Sequence, residues 1–503
     1  MRITNKIMRN NSLYNINQNK IAEDHLSNQM TNQSKIVRPS DDPVVAIRAL
    51  RLRSNVTNIS QYYDKNAPDA DQWLSLTADA LVTVDEILTD LYNQAETASN
   101  KYLGSEDLKI IIEQMKSLSD EFYASGNVDY AGRYVFSGYR TDTPVTFTAE
   151  NVAEMEKHPV TYTINEEKGY ADIDTISYTD YSCLGDLTVA SEEQDITNQT
   201  LYRLRLSYNA LDELPDSDGD GTADDFTFTA GGTTYSAVQY TDAETAYQAV
   251  AADPAAIAYI PSTGEVVFGA DVYSQFKETD TFALTYDKSD WVEGDINPVH
   301  YFKCTETTDP GTDNEKVVTY NAQLEDQDIY YDVGYNQKIQ VNTLTDEVFT
   351  HDVGRDMDDF QHYLTQLEEV EDKIAEIEDK MELVEEGSAE YEKLEKQLEA
   401  ANKAYTYVRD NVQTKFENQI TKYQKYMDDA NVAITNNATR SSRLDLISTR
   451  LMNQKTTFKE LQTNNEDIDV TEIAVELTSA DLTYQAALMA TSKIMQTNLM
   501  NYI

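Results

Sequence analysis

The chain has 503 residues, 89 of them acidic and 40 basic, for a formal net charge of −49, with two cysteines, Cys183 and Cys304. This balance argues against sequence-independent nucleic-acid binding, which needs basic surface, and against docking on anionic membranes, while favouring solubility at high local concentration. Two cysteines exclude a disulfide framework or a zinc cluster and leave either one disulfide or two free thiols.

The N-terminal stretch MRITNKIMRNNSLYNINQNK lacks the continuous apolar core of a signal peptide, and no apolar run reaches the ~18 residues of a membrane span. A cytoplasmic location and a specialised export route both stay open. Ile3, Ile7, Tyr14 and Ile21 share a thin heptad stripe with Asn10 and Asn17 between them. Buried Asn in such a seam lowers stability but fixes register and partner. The stretch RPSDDP then predicts a joint. Pro39 pushes Arg38 out of the α region and stops the first helix, and Ser40 is the expected N-cap of the next. Asp41 and Asp42 would lie in its first turn, where the helix dipole favours negative charge, and Pro43 is early enough to cost no hydrogen bond. Val45, Ala49, Leu52, Val56, Ile59 and Tyr63 follow as one apolar stripe. A second stripe joins Trp73, Thr77, Ala80, Val84, Ile87, Leu91 and Ala95, with Pro68 as a kink or restart. Another helix is expected over about 106–123.

From about Pro144 to Val353 the pattern changes to period two. VTYTI, DFTFTA, TTYSAVQYT, GEVVFG and TFALTY, punctuated by Gly and Pro, read as antiparallel strands, with a short helix near Ala243–Ala252. Within this region DSDGDGTADD sets Asp216, Asp218, Asp220 and Asp224 at positions 1, 3, 5 and 9 of a calcium-type loop. Gly221 is at 6 and the Thr222 carbonyl at 7. Alternating carboxylates let a turning backbone aim hard oxygens at one Ca²⁺. Thr227 stands where a bidentate Glu would complete the loop, so the expected affinity is weak, and an acidic surface turn is the alternative. Helix returns at about Asp356. Leu367, Val370, Ile374, Ile377, Met381 and Val384 form one heptad stripe. Tyr391, Leu394, Leu398, Ala401, Tyr405, Val408 and Val412 form a second, with Gly387 as stop and Ser388 as cap between them. The pair reads as an antiparallel hairpin. Last, Ile473, Leu477, Ala480, Tyr484, Ala487, Thr491 and Ile494 make the most regular stripe, widened by Leu488 and Met495. The five histidines are scattered without HExxH spacing and no Gly-rich phosphate loop follows a strand, so no catalysis and no cofactor beyond Ca²⁺ is expected.

A one-sided apolar helix must bury its stripe. The first and last helices are each other's natural cover, yet two helices are too thin for an independent core. Neighbouring subunits should cover the rest, making a homo-oligomer whose ends order on assembly; an ordinary intramolecular bundle is the alternative.

The stretches SKIVRPSDDPVVAIRALRLRSNV, QYYDKNAPDADQWLSLTADALVTVDEIL and GRYVFSGYRTDTPVTF, with DIDVTEIAVELTSADLTYQAALMATSKIMQTNLMNYI at the C-terminus, resemble the flagellar hook-associated protein 3 family of the flagellin superfamily. The resemblance covers about 1–147 and 430–503. Flagellin proper differs in an alanine-rich stretch at PSDDP and lacks the signature carried here by Gly132 to Gly138 and Thr141 to Pro144. The family's frequent Gly-Lys-Arg turn before PSDDP is absent. The resemblance implies a multidomain α+β fold. Residues 1–39 and 465–503 would form a terminal coiled coil, and 40–143 with 421–464 a helical rod. A β-rich outward insert would span 144–355; the heptad hairpin at 356–420, read from periodicity, falls outside the resemblance and has no assigned role. The resemblance further implies uncleaved export through the flagellar channel, with an export chaperone, to the hook–filament junction. The partners there are the adjacent hook-associated junction protein and flagellin, with no nucleic acid and no membrane insertion. The alternatives are a flagellin-like filament subunit and a calcium-dependent surface adhesin. If the ends order only on assembly, limited proteolysis of dilute monomer should trim the chain to about Ser40 and from about Asp467; resistant ends would count against that coupling.

Overall fold

Period-3.6 and period-2 stretches sort cleanly in the computed structural model, which describes residues 5–184, 196–217, 223–278, 281–321 and 327–496. Ten helices are described: α1 (Asn5–Asn32), α2 (Pro43–Gln61), α3 (Ala67–Ala98), α4 (Ser105–Ala124), α5 (Ala149–Lys157), α6 (Ala243–Ala252), α7 (Ala270–Gln275), α8 (Asp352–Glu382), α9 (Ala389–Glu466) and α10 (Val470–Gln496). The strands are β1 (Val160–Lys168), β2 (Ile173–Asp180), β3 (Thr197–Arg205), β4 (Phe226–Ala230), β5 (Thr233–Gln239), β6 (Ile257–Ile260), β7 (Glu265–Phe268), β8 (Phe282–Lys288), β9 (Lys303–Thr308), β10 (Lys316–Tyr320), β11 (Tyr330–Gly334) and β12 (Gln337–Gln340). They sort into two compact units. Unit 1 comprises residues 1–71, 331–339 and 442–503; unit 2 comprises 72–330 and 340–441.

In unit 1, α1 lies against α10, and α2 buries Ala46, Ala49 and Ile59. A single π turn, Tyr62–Asn66, closed by the Ala67 N–H on the Tyr62 carbonyl, leads into α3. It absorbs the missing donor of Pro68, so the chain stays helical where a restart was one expectation. The tip of the β11–β12 hairpin, expected in the insert, packs inside unit 1. Asn66 donates to the Asp332 carbonyl at 2.7 Å, and Arg450 donates to Gln337.

In unit 2, every residue of the Trp73–Ala95 stripe is buried. Trp73 carries the Arg133 guanidinium 4.9 Å from its ring centre. That arginine belongs to the GRYVFSG turn, whose Gly132 and Gly138 take φ of +77° and +60°, a region side-chain-bearing residues avoid. Phe136 from the same turn packs on Phe349 at 5.2 Å. The β region forms a ten-stranded sheet in the order β10-β9-β1-β8-β4-β5-β6-β7-β3-β2. All pairings are antiparallel except β5 with β6, where α6 supplies the crossover a parallel pair needs. The α6 range matches the helix read from sequence. Cys304 is buried on β9, and both cysteines are free thiols.

The helical hairpin is made by α8 and α9, with Gly387 at φ +84° and the Ser388 hydroxyl accepting from the Tyr391 N–H. Phe360 stacks on Phe416 at 4.3 Å between the two helices. The second helix does not end with the hairpin at 420. It runs unbroken for 78 residues, because no Gly or Pro interrupts it.

What holds the sheet to this hairpin was not legible in advance. Arg203 and Arg205, two apart on β3, share one face of the strand. Asp352, Asp356 and Asp359, at i, i+4 and i+7, share one face of α8. Arg203 forks onto Asp359 at 2.9 and 2.6 Å and also reaches Glu265 at 2.7 Å. Arg205 reaches Asp356 at 2.8 Å and Asp352 at 3.1 Å. From α9, Lys415 donates to Asp359 and Gln419 to Asp356. Burial works against the charge on Asp359, but Arg203, Lys415 and Arg205 outweigh it and hold its carboxyl well below the usual range. Burial likewise opposes charge on Asp352, yet Arg205 and Lys168 bring it to about 2.

Removing one partner of such a buried cluster strands the rest. Arg203→Met should therefore destabilise unit 2 by about 3–5 kcal/mol, read as a shifted midpoint in urea unfolding of the full chain. Acid should act earlier than these carboxylates do. Burial lowers His300 and His351 from 6.5 to about 4. The unfolded chain then binds protons near pH 6.5 that the folded chain refuses until about 4, so stability falls as pH falls through that window. The loss is up to about 3 kcal/mol per histidine. A melting temperature of unit 2 that stays flat between those pH values would contradict it.

Candidate assembly surface

The two chain halves meet where the α1–α2 link touches the α9–α10 link, inside unit 1. Ser34 and Asp467 form an isolated antiparallel bridge. The Lys35 N–H donates to the Glu466 carbonyl at 2.7 Å, and the Lys35 ammonium donates to the Asn464 carbonyl at 2.6 Å. Arg53 on α2 clamps the buried Glu466 carboxylate through its Nε at 2.9 Å and a second N–H.

The proline-bracketed joint works differently from its sequence reading. The first helix ends at Asn32, ahead of the prolines. Ser40 does not cap α2; Asp42 does, its Oδ1 accepting from Val44 at 2.9 Å and Val45 at 3.1 Å, with Pro43 as first helical residue. Asp41 closes the turn from the other side, accepting from the N–H groups of Arg38 at 2.8 Å and Val37 at 3.2 Å. The Arg38 bond chiefly holds its carboxyl below the usual value. A carboxylate two residues nearer the helix does the capping because Pro43 fixes where the helix starts. Pro39 and Ser40 sit exposed in that turn.

From this joint α1 and α10 run antiparallel. The α10 side of the seam holds Ile473, Leu477, Ala480, Tyr484, Ala487 and Thr491, all at least half-buried, the stripe read from sequence. The α1 side corrects that reading. Its seam is Ser12, Ile16, Asn19, Glu23, Leu26 and Met30, stepping 4-3-4-3-4. Ile7, Tyr14 and Ile21 recur every seven residues with only Asn10 and Asn17 at the intervening steps, so they form a stripe but no seam, and the structure turns them outward. Asn19, Ala22 and Leu26, with Val475, Ser479, Ala480 and Thr483, line an open groove of about 410 Å³ along one edge of the pair. Among the described residues of the pair only Ile16 and Thr491 are buried; the other described seam residues stay partly open. Val475, Leu482 and Met489 form a matching outward heptad row on α10. Together with Ile7, Tyr14 and Ile21 these side chains are 50% to 67% exposed, and Leu488 beside them is exposed as well. Ile3 lies outside the described residues, as do the side chains of Ile494 and Met495 at the end of α10.

The acidic loop of unit 2 is described only at its ends. Asp224 donates its N–H to the Pro215 carbonyl at 2.9 Å and accepts from Ser217 at 3.3 Å. Asp216 is also described, whereas Asp218, Asp220 and Thr222 lie outside the described residues. Among the described residues no cluster of His, Cys, Asp or Glu is placed to hold a metal ion.

Residues 3–141 match the family model of the bacterial flagellin N-terminal helical region. Two relatives are both named flagellar hook-associated protein 3. That of Escherichia coli K12 is 28% identical over 144 residues, and that of Salmonella typhimurium LT2 is 27% identical over 143. The N-terminal part of the chain is thus similar to the flagellin N-terminal helical region and to two hook-associated proteins 3. Each match covers 28% of this chain and 45% of the relative, so the chain spans about half the length of the curated relatives it matches. Among solved structures, a putative flagellar hook-associated protein of Vibrio parahaemolyticus is 12% identical, over 85% of this chain and all of that one, at a TM-score of 0.33. The flagellar junction protein FlgL of Legionella pneumophila is 11% identical, over 79% of this chain and 99% of that one, at 0.27. Superpositions this loose carry no weight for the fold.

The two faces of the helix pair can be told apart by substitution. Ile16→Glu should place an unpaired charge in the seam and lower the helical circular dichroism of the dilute monomer. Tyr14→Glu, on the outer row, should leave it unchanged. Equal losses from both would mean that α1 seats its outer row, and not Ile16, against α10.

Proposed function

We propose that this chain is a structural subunit of the bacterial flagellum that joins the hook to the filament and carries out no reaction of its own. In this reading it leaves the cell through the flagellar export channel, uncleaved and accompanied by an export chaperone, and is extracellular at the hook–filament junction. Copies assemble there as a homo-oligomer, with the adjacent hook-associated junction protein on one side and flagellin on the other. The observation that supports it is the terminal helix pair. Its seam is only half closed and both helices carry an outward heptad row, within a chain whose matches to proteins named for hook association cover 28% of its length. An isolated two-helix pair with such rows lacks a core; added subunits supply one. Deleting the gene should leave hooks without filaments and release flagellin to the medium, as seen by electron microscopy and by blotting the supernatant. Intact filaments would defeat the proposal. Long homopolymers from the purified chain would favour a filament subunit instead.

For the acidic loop we propose weak Ca²⁺ binding, supported by the spacing of Asp216, Asp218, Asp220 and Asp224. Calorimetric titration should show binding near or above about 10⁻⁴ M, weakened by Asp216→Asn with Asp220→Asn; no heat at millimolar Ca²⁺ would discard it.

A further inference from the structure

Three tyrosines from three parts of unit 2 meet where α7 lies against β3: Tyr170 from the turn between β1 and β2, Tyr202 from β3 and Tyr273 from α7. Each is partly exposed. The rings of Tyr202 and Tyr273 lie 3.7 Å apart centre to centre and within 6° of parallel. Aromatic pairs more often stand about 4.5–7 Å apart and avoid the face-to-face sandwich, where like parts of the two π-systems oppose each other. Here the backbone imposes it. Tyr202 pairs with Phe268 of β7, and α7 follows β7 directly at Ala270. We propose that this pair is an oxidative modification site: a one-electron oxidant couples Tyr202 to Tyr273 through their ring carbons as a dityrosine, which ties β3 to α7. The site lies in unit 2 and owes nothing to the terminal helix pair.

The co-reactant is an oxidant of the peroxide class. Each phenol gives up one electron and its O–H proton, leaving a phenoxyl radical whose unpaired electron is shared between the oxygen and the ortho and para carbons. The para carbon carries Cβ and is blocked, so two ortho carbons join, one electron from each ring making the new C–C bond. The hydrogens displaced from those carbons pass to the oxygens and restore both O–H groups. Two tyrosines and one peroxydisulfate thus give one dityrosine, two sulfates and two protons. The chain has 34 tyrosines, so contact must choose among them. Tyr170 donates to the Tyr273 oxygen at 2.7 Å, but their ring centres are 5.7 Å apart, which brings oxygens and not ring faces together. Tyr178 with Tyr247 and Tyr423 with Tyr426 stand 6.1 and 6.0 Å apart, tilted by 50° and 73°. Of these pairs only Tyr202 and Tyr273 touch over their ring faces. Their link closes a loop of the chain and removes conformations from the unfolded ensemble, as a disulfide does. It also fastens the strand that carries Arg203 and Arg205.

The test is photolysis of the dilute full chain with ruthenium tris-bipyridine and peroxydisulfate, followed by proteolysis and mass spectrometry. The expected main product within one chain is a linked peptide pair, Tyr202 to Tyr273, lighter by two hydrogens than its two parts. Dityrosine fluorescence and a higher urea midpoint should accompany it. Tyr202→Phe and Tyr273→Phe keep a ring in the stack, so each should retain the native circular dichroism and lose the linked pair. Tyr170→Phe should still form it. The absence of any internal link would overturn the inference. So would links at Tyr170, or at the freely exposed Tyr102 and Tyr335, in place of Tyr202–Tyr273, and so would the same pair forming as readily in the urea-unfolded chain.

Discussion

Two antiparallel helices meeting along one seam cannot close their own surface, and unit 1 is organised around that constraint. The seam sets polar Ser12, Asn19 and Glu23 beside Ile16 and Leu26 on α1, against the small and apolar side of α10. A mixed seam of this kind fixes register at a cost in stability. The joint makes up part of the difference. With Glu466 held by Arg53 and by the Lys35 amide, the ends of both chain halves are fixed before either helix begins its run away from the joint. What this leaves is a stiff base and a pair whose better apolar residues face outward, as expected of a part completed by its neighbours.

Unit 2 is built on the opposite logic, with its strongest polar contacts deep inside. The cluster of Arg203, Arg205, Asp352, Asp356 and Asp359 joins a sheet to a helical hairpin where apolar packing could have done so. Buried ion pairs gain little over such packing, because desolvation consumes most of the attraction. Their requirement for matched geometry is more selective. Only one placement of β3 against α8 satisfies two forked guanidiniums and three carboxylates together.

Most helices and the named strands were legible because their periodicity is local: the Trp73–Ala95 stripe, α6, the Ser388 cap and β1, β4, β5, β7 and β8 all fall where pattern placed them. The failures have physical causes. Ser40 looked like the better cap until Pro43 fixed the helix start. The outer row of α1 looked like the seam because Ile and Tyr are larger than the Ser, Asn and Glu that in fact face α10. The hairpin tip at 331–339 carries no signal of the unit it joins, since that depends on Asn66 and Arg450, hundreds of residues away in sequence for the first and over a hundred for the second.

The sequence alone determined the order of helix and strand, the stops at Gly387 and the proline joint, the excess of acid and the flagellin-like N-terminal region, because each is written in neighbours a few residues apart. Only the tertiary structure decided which face of α1 is covered and which carboxylates answer Arg203 and Arg205. Those are properties of surfaces brought together across the chain, and a stripe on a helix does not say what will lie against it.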